Sequence, residues 1–116
     1  MVLSRQAADD LVMMSSGLRP TAVFAANDLV AIGLLQGLSA HGLRVPDDIA
    51  IVGYDDIEFA AAAAVPLSSV RQPRDELGRR GAELLYEELG ALKSGRPVEH
   101  QHIRFQPKLI VRLSSA

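Results

Sequence analysis

"AANDLVAIGLLQGLSAHG" occupies residues 25–42, and "IAIVGYDD" follows at residues 49–56. The second stretch is a short apolar run without polar alternation, closed by two carboxylates, a pattern that suits a parallel strand covered on both faces. The first opens on Asn27, an excellent N-cap for a helix over residues 28–41. At about 100° per residue, Val30, Ala31, Leu34 and Leu38 fall on one face, which should pack on a sheet. Leu29, Ile32 and Leu35 fall on other sides, among Gln36 and Ser39. An apolar patch with a polar rim is what a subunit contact looks like, the alternative being cover by another part of the same chain.

Working outward, Ser4 reads as the N-cap of a first helix, with Ala8, Leu11 and Val12 at helical spacing and Gly17 as its C-cap. "TAVFA" after Pro20 is a short strand. "LSSVR" is a weaker third one. Pro73 then stands at the first position of a helix whose acidic Asp75 and Glu76 complement its positive end, and Leu77, Leu84, Leu85, Leu89 and Leu92 form its stripe. Gly95 and Pro97 stop it. The tail "HIRFQPKLIVRL" suggests two short strands, or an edge strand kinked at Pro107. Strands alternating with helices predict an α/β fold, a mainly parallel sheet with flanking helices. No internal repeat, low-complexity tract or linker interrupts it.

In an open parallel sheet, ligands bind outside the carboxyl ends of the strands. Three strands here finish in hydrogen-bonding groups: Asn27, Asp55 with Asp56, and Gln72. Amides and carboxylates suit recognition of neutral hydroxyls or ring nitrogens without any group that must titrate or attack. Each has a plainer role: Asn27 as a cap, Asp55 or Asp56 as cap of the short segment beginning "IEFA", and Gln72 as a turn residue. A cap can also face a ligand, so the two roles need not compete.

Composition narrows the function classes. The chain has 116 residues, one ordinary domain in size, of which 48% are apolar and 22% charged. Three Phe, two Tyr and no Trp leave the core to Ala, Val, Leu and Ile. Without cysteine there is no disulfide or thiolate chemistry, and nothing calls for an oxidising compartment. The amino terminus lacks a signal-peptide run, no segment has membrane-spanning length, and the expected location is the cytoplasm. A net charge of −2 gives no footprint for direct nucleic-acid binding. His100 and His102 could share one side of a strand, but solvated histidines are the simpler reading and no metal is expected. There is no phosphate loop or nucleophile elbow, so neither catalysis nor a cofactor is expected.

The stretches "PTAVFAANDLVAIGLLQGLSAHGLRVPDDIAIVGYDDIEFA" and "PLSSVRQPRDELGRRGAELL" closely resemble the carboxyl-terminal part of LacI/GalR-family transcriptional regulators. The likeness runs from about Leu18 to Arg112. It implies part of one lobe of a periplasmic-binding-protein-like fold, whose two lobes close on a sugar, nucleobase or related small-molecule effector. Carried over residue by residue, it implies effector contacts at Asn27, Asp55 and Gln72. It implies a homodimer contact at Ile32, Leu35, Gln36, Ser39, Ala62 and Ala63, on the face that periodicity also singles out.

The helix-turn-helix, hinge and amino-terminal lobe of such regulators have no counterpart in these residues. The expectation is therefore a single partial domain over 1–116, reaching operator DNA only through the parent's amino-terminal domain and forming a dimer or larger. The competing expectation is part of a periplasmic sugar-binding protein of a transport system. Those proteins share the fold and a looser "AND" pattern but usually lack the "VPDD" and "RQP" portions. A third is a free-standing piece that dimerises with a full-length relative.

Overall fold

The computed structural model describes residues 2–116. The elements are α1 (Val2–Met13), β1 (Ala22–Phe24), α2 (Asp28–Ala40), β2 (Ala50–Tyr54), α3 (Glu58–Ala62), β3 (Ser68–Arg71), α4 (Arg74–Lys93), β4 (Lys108–Ile110) and a 3-10 turn at Leu113–Ser115. They fall into two compact units. The first comprises residues up to Arg71 together with Lys108–Ala116; the second is Gln72–Pro107, inserted in the chain between β3 and β4.

The first unit is built on a four-stranded sheet in the order β1-β2-β3-β4. β1, β2 and β3 run parallel, with Val23 opposite Ile51 and Gly53 opposite Ser69. β4 lies antiparallel on β3, Leu109 opposite Val70. This is the α/β, mainly parallel architecture that the alternation of strands and helices predicts. The tail contributes one three-residue strand and not two, and residues 100–107 lie outside any strand.

The core forms where α2 crosses the sheet. Ala31, Leu34 and Leu38 are buried against Ile49 and Ile51, with Leu67 and Ala8 completing the cluster. Two members of the helix differ from expectation: Val30 is 39% exposed, whereas Leu35 is only 2% exposed and belongs to the core. α1 packs on the side of α2 that carries Gly37, so closely that a Cβ there would meet the Cβ of Ala8 at 2.5 Å. Leu35 lies about 200° round the helix from Gly37, on the side that shares a cavity with Ala62 and Ala63 at the end of α3. The α2 carboxyl end closes with Leu43 N–H donating to the Leu38 carbonyl at 3.0 Å and Gly42 N–H to Ser39 at 3.0 Å, Gly42 adopting φ +76° as such an end requires.

α1 ends differently from its sequence reading. Ser4 is inside the helix and buried, not its N-cap, and Gly17 lies beyond an end at Met13. The last carbonyls are held by Arg19, whose Nε donates to Leu11 and Nη2 to Val12, each at 3.0 Å, and Nη2 also to Met14. A cationic side chain satisfies the orphan carbonyls and the negative helix end together.

β2 is also less covered than its both-face hydrophobicity suggests. Ile51 and Gly53 are buried under α2, but Ala50, Val52 and Tyr54 on the opposite face are only half-buried. On that face Phe24 is 64% exposed, touching Tyr54 edge-on with ring centroids 6.4 Å apart.

In the second unit, α4 runs Arg74–Lys93 with Pro73 one position before its start and Asp75 and Glu76 in its first turn. Gly95, at φ +66°, ends it as expected, the Arg96 N–H donating to Ala91 at 2.9 Å. Among the described residues, none of α4 is buried; Leu85 and Leu92 are more than half exposed.

Candidate functional site

Because β1, β2 and β3 are adjacent and parallel, Phe24, Tyr54 and Arg71 finish on one edge of the sheet. Asn27 stands three residues beyond the first end and Asp55 immediately after the second. Gln72 directly follows Arg71 in the chain and opens the second unit; it is half-buried, and its carbonyl accepts from Arg74 N–H at 2.9 Å, as a turn residue's does.

Asn27 is the N-cap of α2. With extended backbone, φ −157° and ψ 171°, it accepts the Val30 N–H on Oδ1 at 2.9 Å. The cap uses the amide oxygen and not the NH2 group. The side chain is half-buried.

Neither Asp55 nor Asp56 caps α3, contrary to the capping alternative. The N-cap is Ile57, whose own N–H is taken by the Asp28 carboxylate from α2 at 2.8 Å. Asp55 and Asp56 instead form a tight bend with φ 100° and φ 50°. Asp55 is half-buried and donates its N–H to the Val70 carbonyl at 3.0 Å; Asp56 donates its N–H to Ser69 Oγ at 3.0 Å.

The two carboxylates beside Asp55 are spoken for. Asp56, 7% exposed, accepts from Arg71 Nε at 2.6 Å and Arg112 Nη1 at 2.7 Å. Burial alone would push its carboxyl up, but the hydrogen bonds and charges of Arg112 and Arg71 outweigh burial and leave it below the ordinary carboxylate value. Asp28, fully buried, accepts from Ser69 Oγ at 2.6 Å as well as from Ile57. Among the described residues no buried side-chain nitrogen or oxygen lacks a hydrogen-bond partner.

Sequence reasoning missed this network. "AND" and "GYDD" draw attention to Asp28 and Asp56, but nothing local ties them to Ser69, Arg71 or Arg112.

Beside α2 lies a cavity of about 850 Å3 whose lining includes all six expected dimer-contact residues: Ile32, Leu35, Gln36, Ser39, Ala62 and Ala63. Leu29 and Phe59, at 57% and 68% exposed, stand at its margin. Leu35 is its buried floor rather than a projecting anchor, while Gln36 and Ser39 form the polar rim.

His41 and His100 are engaged elsewhere. His41 Nε2 meets Asp9 at 2.7 Å, bridging α1 and α2, and His100 Nδ1 meets Glu88 at 2.9 Å within the second unit. Among the described residues no group of three or more His, Cys, Asp or Glu is arranged to hold a metal ion, and no helix is long and apolar enough to cross a membrane.

Comparison with known proteins gives these features a context. Residues 2–115 match the periplasmic binding protein-like domain family. The HTH-type transcriptional repressor PurR of Vibrio campbellii is 40% identical over 106 residues, covering 91% of this chain and 30% of that protein. The ribose operon repressor of Escherichia coli is 39% identical over 103 residues, covering 89% of this chain and again 30% of the relative. A LacI family transcriptional regulator from Lactobacillus casei, solved with bound glucose, superimposes with a TM-score of 0.78 at 33% identity, over 97% of this chain and 38% of that one. The chain thus spans about a third of the length of the relatives it matches. Matched along almost its whole length, it belongs to the periplasmic binding protein-like domain family, and the relatives whose sequence and fold it shares are LacI-type transcriptional regulators.

Proposed function

We propose that this chain is the carboxyl-terminal part of the effector-binding and dimerisation core of a LacI-type transcriptional regulator. The observation that carries the reading is the parallel adjacency of β1, β2 and β3, whose ends bring Asn27 and Asp55 to one rim. The effector is a sugar or related small molecule. The Lactobacillus casei regulator holds glucose, and the Escherichia coli relative is named for the ribose operon. Asn27, Asp55 and Gln72 offer it an amide, a carboxylate and a second amide, groups that bind hydroxyls by hydrogen bonding. The chain acts by recognition, without catalysis, cofactor or metal, and the parent works in the cytoplasm. Operator DNA is contacted through a part of the parent outside these residues.

The cavity beside α2 is the homodimer surface. Its apolar floor, polar rim and the small Ala62 and Ala63 suit the helix of a second copy. Because the chain spans about a third of its relatives, we expect the rest of the effector cleft to come from outside it, and the chain by itself to bind neither operator nor effector tightly.

A chimera tests the reading: the aligned third of the Escherichia coli ribose operon repressor is replaced by this chain and titrated on its operator with and without ribose or glucose. Operator binding that one of these sugars modulates, with modulation lost in Asp55→Ala and Asn27→Asp, is the expected result. A sugar response unaffected by either change overturns the site assignment. Submicromolar sugar affinity of the chain alone, by calorimetry, overturns the half-site assignment.

A further inference from the structure

Asp55, at φ 100°, occupies a backbone conformation that L-residues rarely adopt, and Asp56 follows it in the left-handed region at φ 50°. Three consecutive amides hold the bend. Asp55 N–H is held by the Val70 carbonyl, Asp56 N–H by Ser69 Oγ, and Ile57 N–H by Asp28 Oδ2, at 3.0, 3.0 and 2.8 Å. The last two acceptors are joined, since the Ser69 hydroxyl donates to Asp28 Oδ1 at 2.6 Å. Beyond the amides, the Asp56 carboxylate is gripped by Arg71 at the end of β3 and by Arg112 from the carboxyl-terminal segment.

We infer that Asp28, Ser69 and Asp56 are positioning residues that clamp the bend and thereby fix where Asp55 stands on the strand-end rim. The inference rests on the reading of Asp55 as an effector-binding residue and adds to it the parts that orient that residue. Stability alone is a poor explanation for the clamp. A fully buried carboxylate and a second, almost buried one held by two arginines are costly ways to hold a core together, and apolar side chains of similar volume would do as well.

The chemistry of each member fits a geometric role. Ser69 must accept from one group and donate to another, which a hydroxyl does and a methyl cannot. Asp28, the first residue of α2, must present two acceptor oxygens in divergent directions, one to Ser69 and one to Ile57. Gly53 is the clearance for this arrangement. A Cβ at position 53 would collide with Asp28 Oδ1, so any larger residue there displaces the carboxylate. The clamp therefore draws on α2, β2, β3 and the carboxyl-terminal segment, and every part of it converges on three residues of backbone.

The test uses the sugar-free chain, so its outcome is independent of whether Asp55 touches an effector. Amide hydrogen exchange is followed by NMR in the wild type, Ser69→Ala, Ser69→Thr, Asp28→Ala and Asp28→Asn. Ser69→Ala is expected to speed exchange at Asp56 and Ile57 by about fivefold to tenfold relative to Ala31 and Ile51, the size of one buried hydrogen bond. Ser69→Thr, which keeps the hydroxyl, should restore protection. Should Asp28→Ala fail to fold, the one-atom change at Ser69 and the isosteric Asp28→Asn still decide the matter.

A double-mutant cycle supplies a reading that a merely structural role would not move. Asp55→Gly relieves the strained φ and should raise the urea midpoint in the wild type but not in Ser69→Ala, where the bend is no longer enforced. Equal gains in both backgrounds, or exchange that rises uniformly through β1, β2 and α2, would overturn the proposal. Failure of the sugar-response experiment with an intact cycle would count against the effector site and leave the clamp standing.

Discussion

Arg112 reaches back 56 residues to the bend after β2, its Nη1 donating to Asp56 Oδ1 at 2.7 Å and to the Leu67 carbonyl at 2.7 Å. The end of the chain is thereby tied to the centre of the sheet. Ser114 repeats the pattern: its hydroxyl donates to the Ile51 carbonyl at 2.6 Å and accepts from Ser68 N–H at 2.8 Å.

Arg112→Ala should therefore destabilise the first unit by about 3 kcal/mol, because it strips a partner from a buried carboxylate. Arg71, which is half exposed, remains but cannot replace it. Urea unfolding read by circular dichroism checks this; a midpoint within error of wild type would show that the pair contributes nothing.

The same carboxylate sets an acid limit. Asp56 is held below its ordinary value, so its contribution is fully present above the unfolded value near 4 and is lost as pH falls through the lower folded value. Asp48, lowered to about 2 first by its side-chain hydrogen bond from Arg44, follows the same sign on the surface. Asp56→Asn should flatten the fall of stability with acid in the range below about pH 4. Unfolding midpoints across that range give the slope, and an unchanged slope would refute the linkage.

Asn27→Ala should cost about 1 kcal/mol through loss of the α2 cap. Asn27→Asp keeps an acceptor for Val30 N–H and should hold stability within about 0.5 kcal/mol, while replacing the NH2 donors on the rim with a second acceptor oxygen. The pair separates the two roles of one side chain: thermal unfolding reads the first and sugar response of the chimera the second.

Ala62→Arg places a charge over the apolar cavity beside α2. Position 62 is exposed, so stability should change by no more than about 0.5 kcal/mol, whereas self-association should fall. Sedimentation equilibrium of the two proteins at matched concentration measures it. A wild type that is already monomeric would remove the dimer surface from the functional reading.

Gly37→Ala should cost about 1–3 kcal/mol, because the added methyl meets Ala8 across the α1–α2 contact. Gly17→Ala is the matched control, with nothing within 4 Å of the added carbon, and should be close to neutral. Differential scanning calorimetry compares the two.

Much of the fold is legible along the chain. "IAIVGY" and "TAVFA" become parallel neighbours, Asn27 caps α2, and Gly42 and Gly95 end helices, since short-range sterics and the spacing of apolar residues fix each locally. The misreadings share one cause. Gly17 has the chemistry of a C-cap and Asp55 or Asp56 that of an N-cap, yet the helix ends they would close are met by Arg19 and Asp28, which arrive from elsewhere in the chain. Leu35 faces away from the sheet by periodicity and is buried all the same, on the side of α2 that shares a cavity with Ala62 and Ala63.

The alternation of strands and helices, the candidate rim residues and the likeness to LacI-type regulators were thus set by the linear sequence, through periodicity, caps and short motifs whose energetics act within a few residues. The bend at Asp55, the buried Asp28–Ser69 pair and the return of Arg112 were decided only by the tertiary structure. A buried charge must find its partner wherever packing places one, and no local pattern records a hydrogen bond spanning 41 or 56 residues.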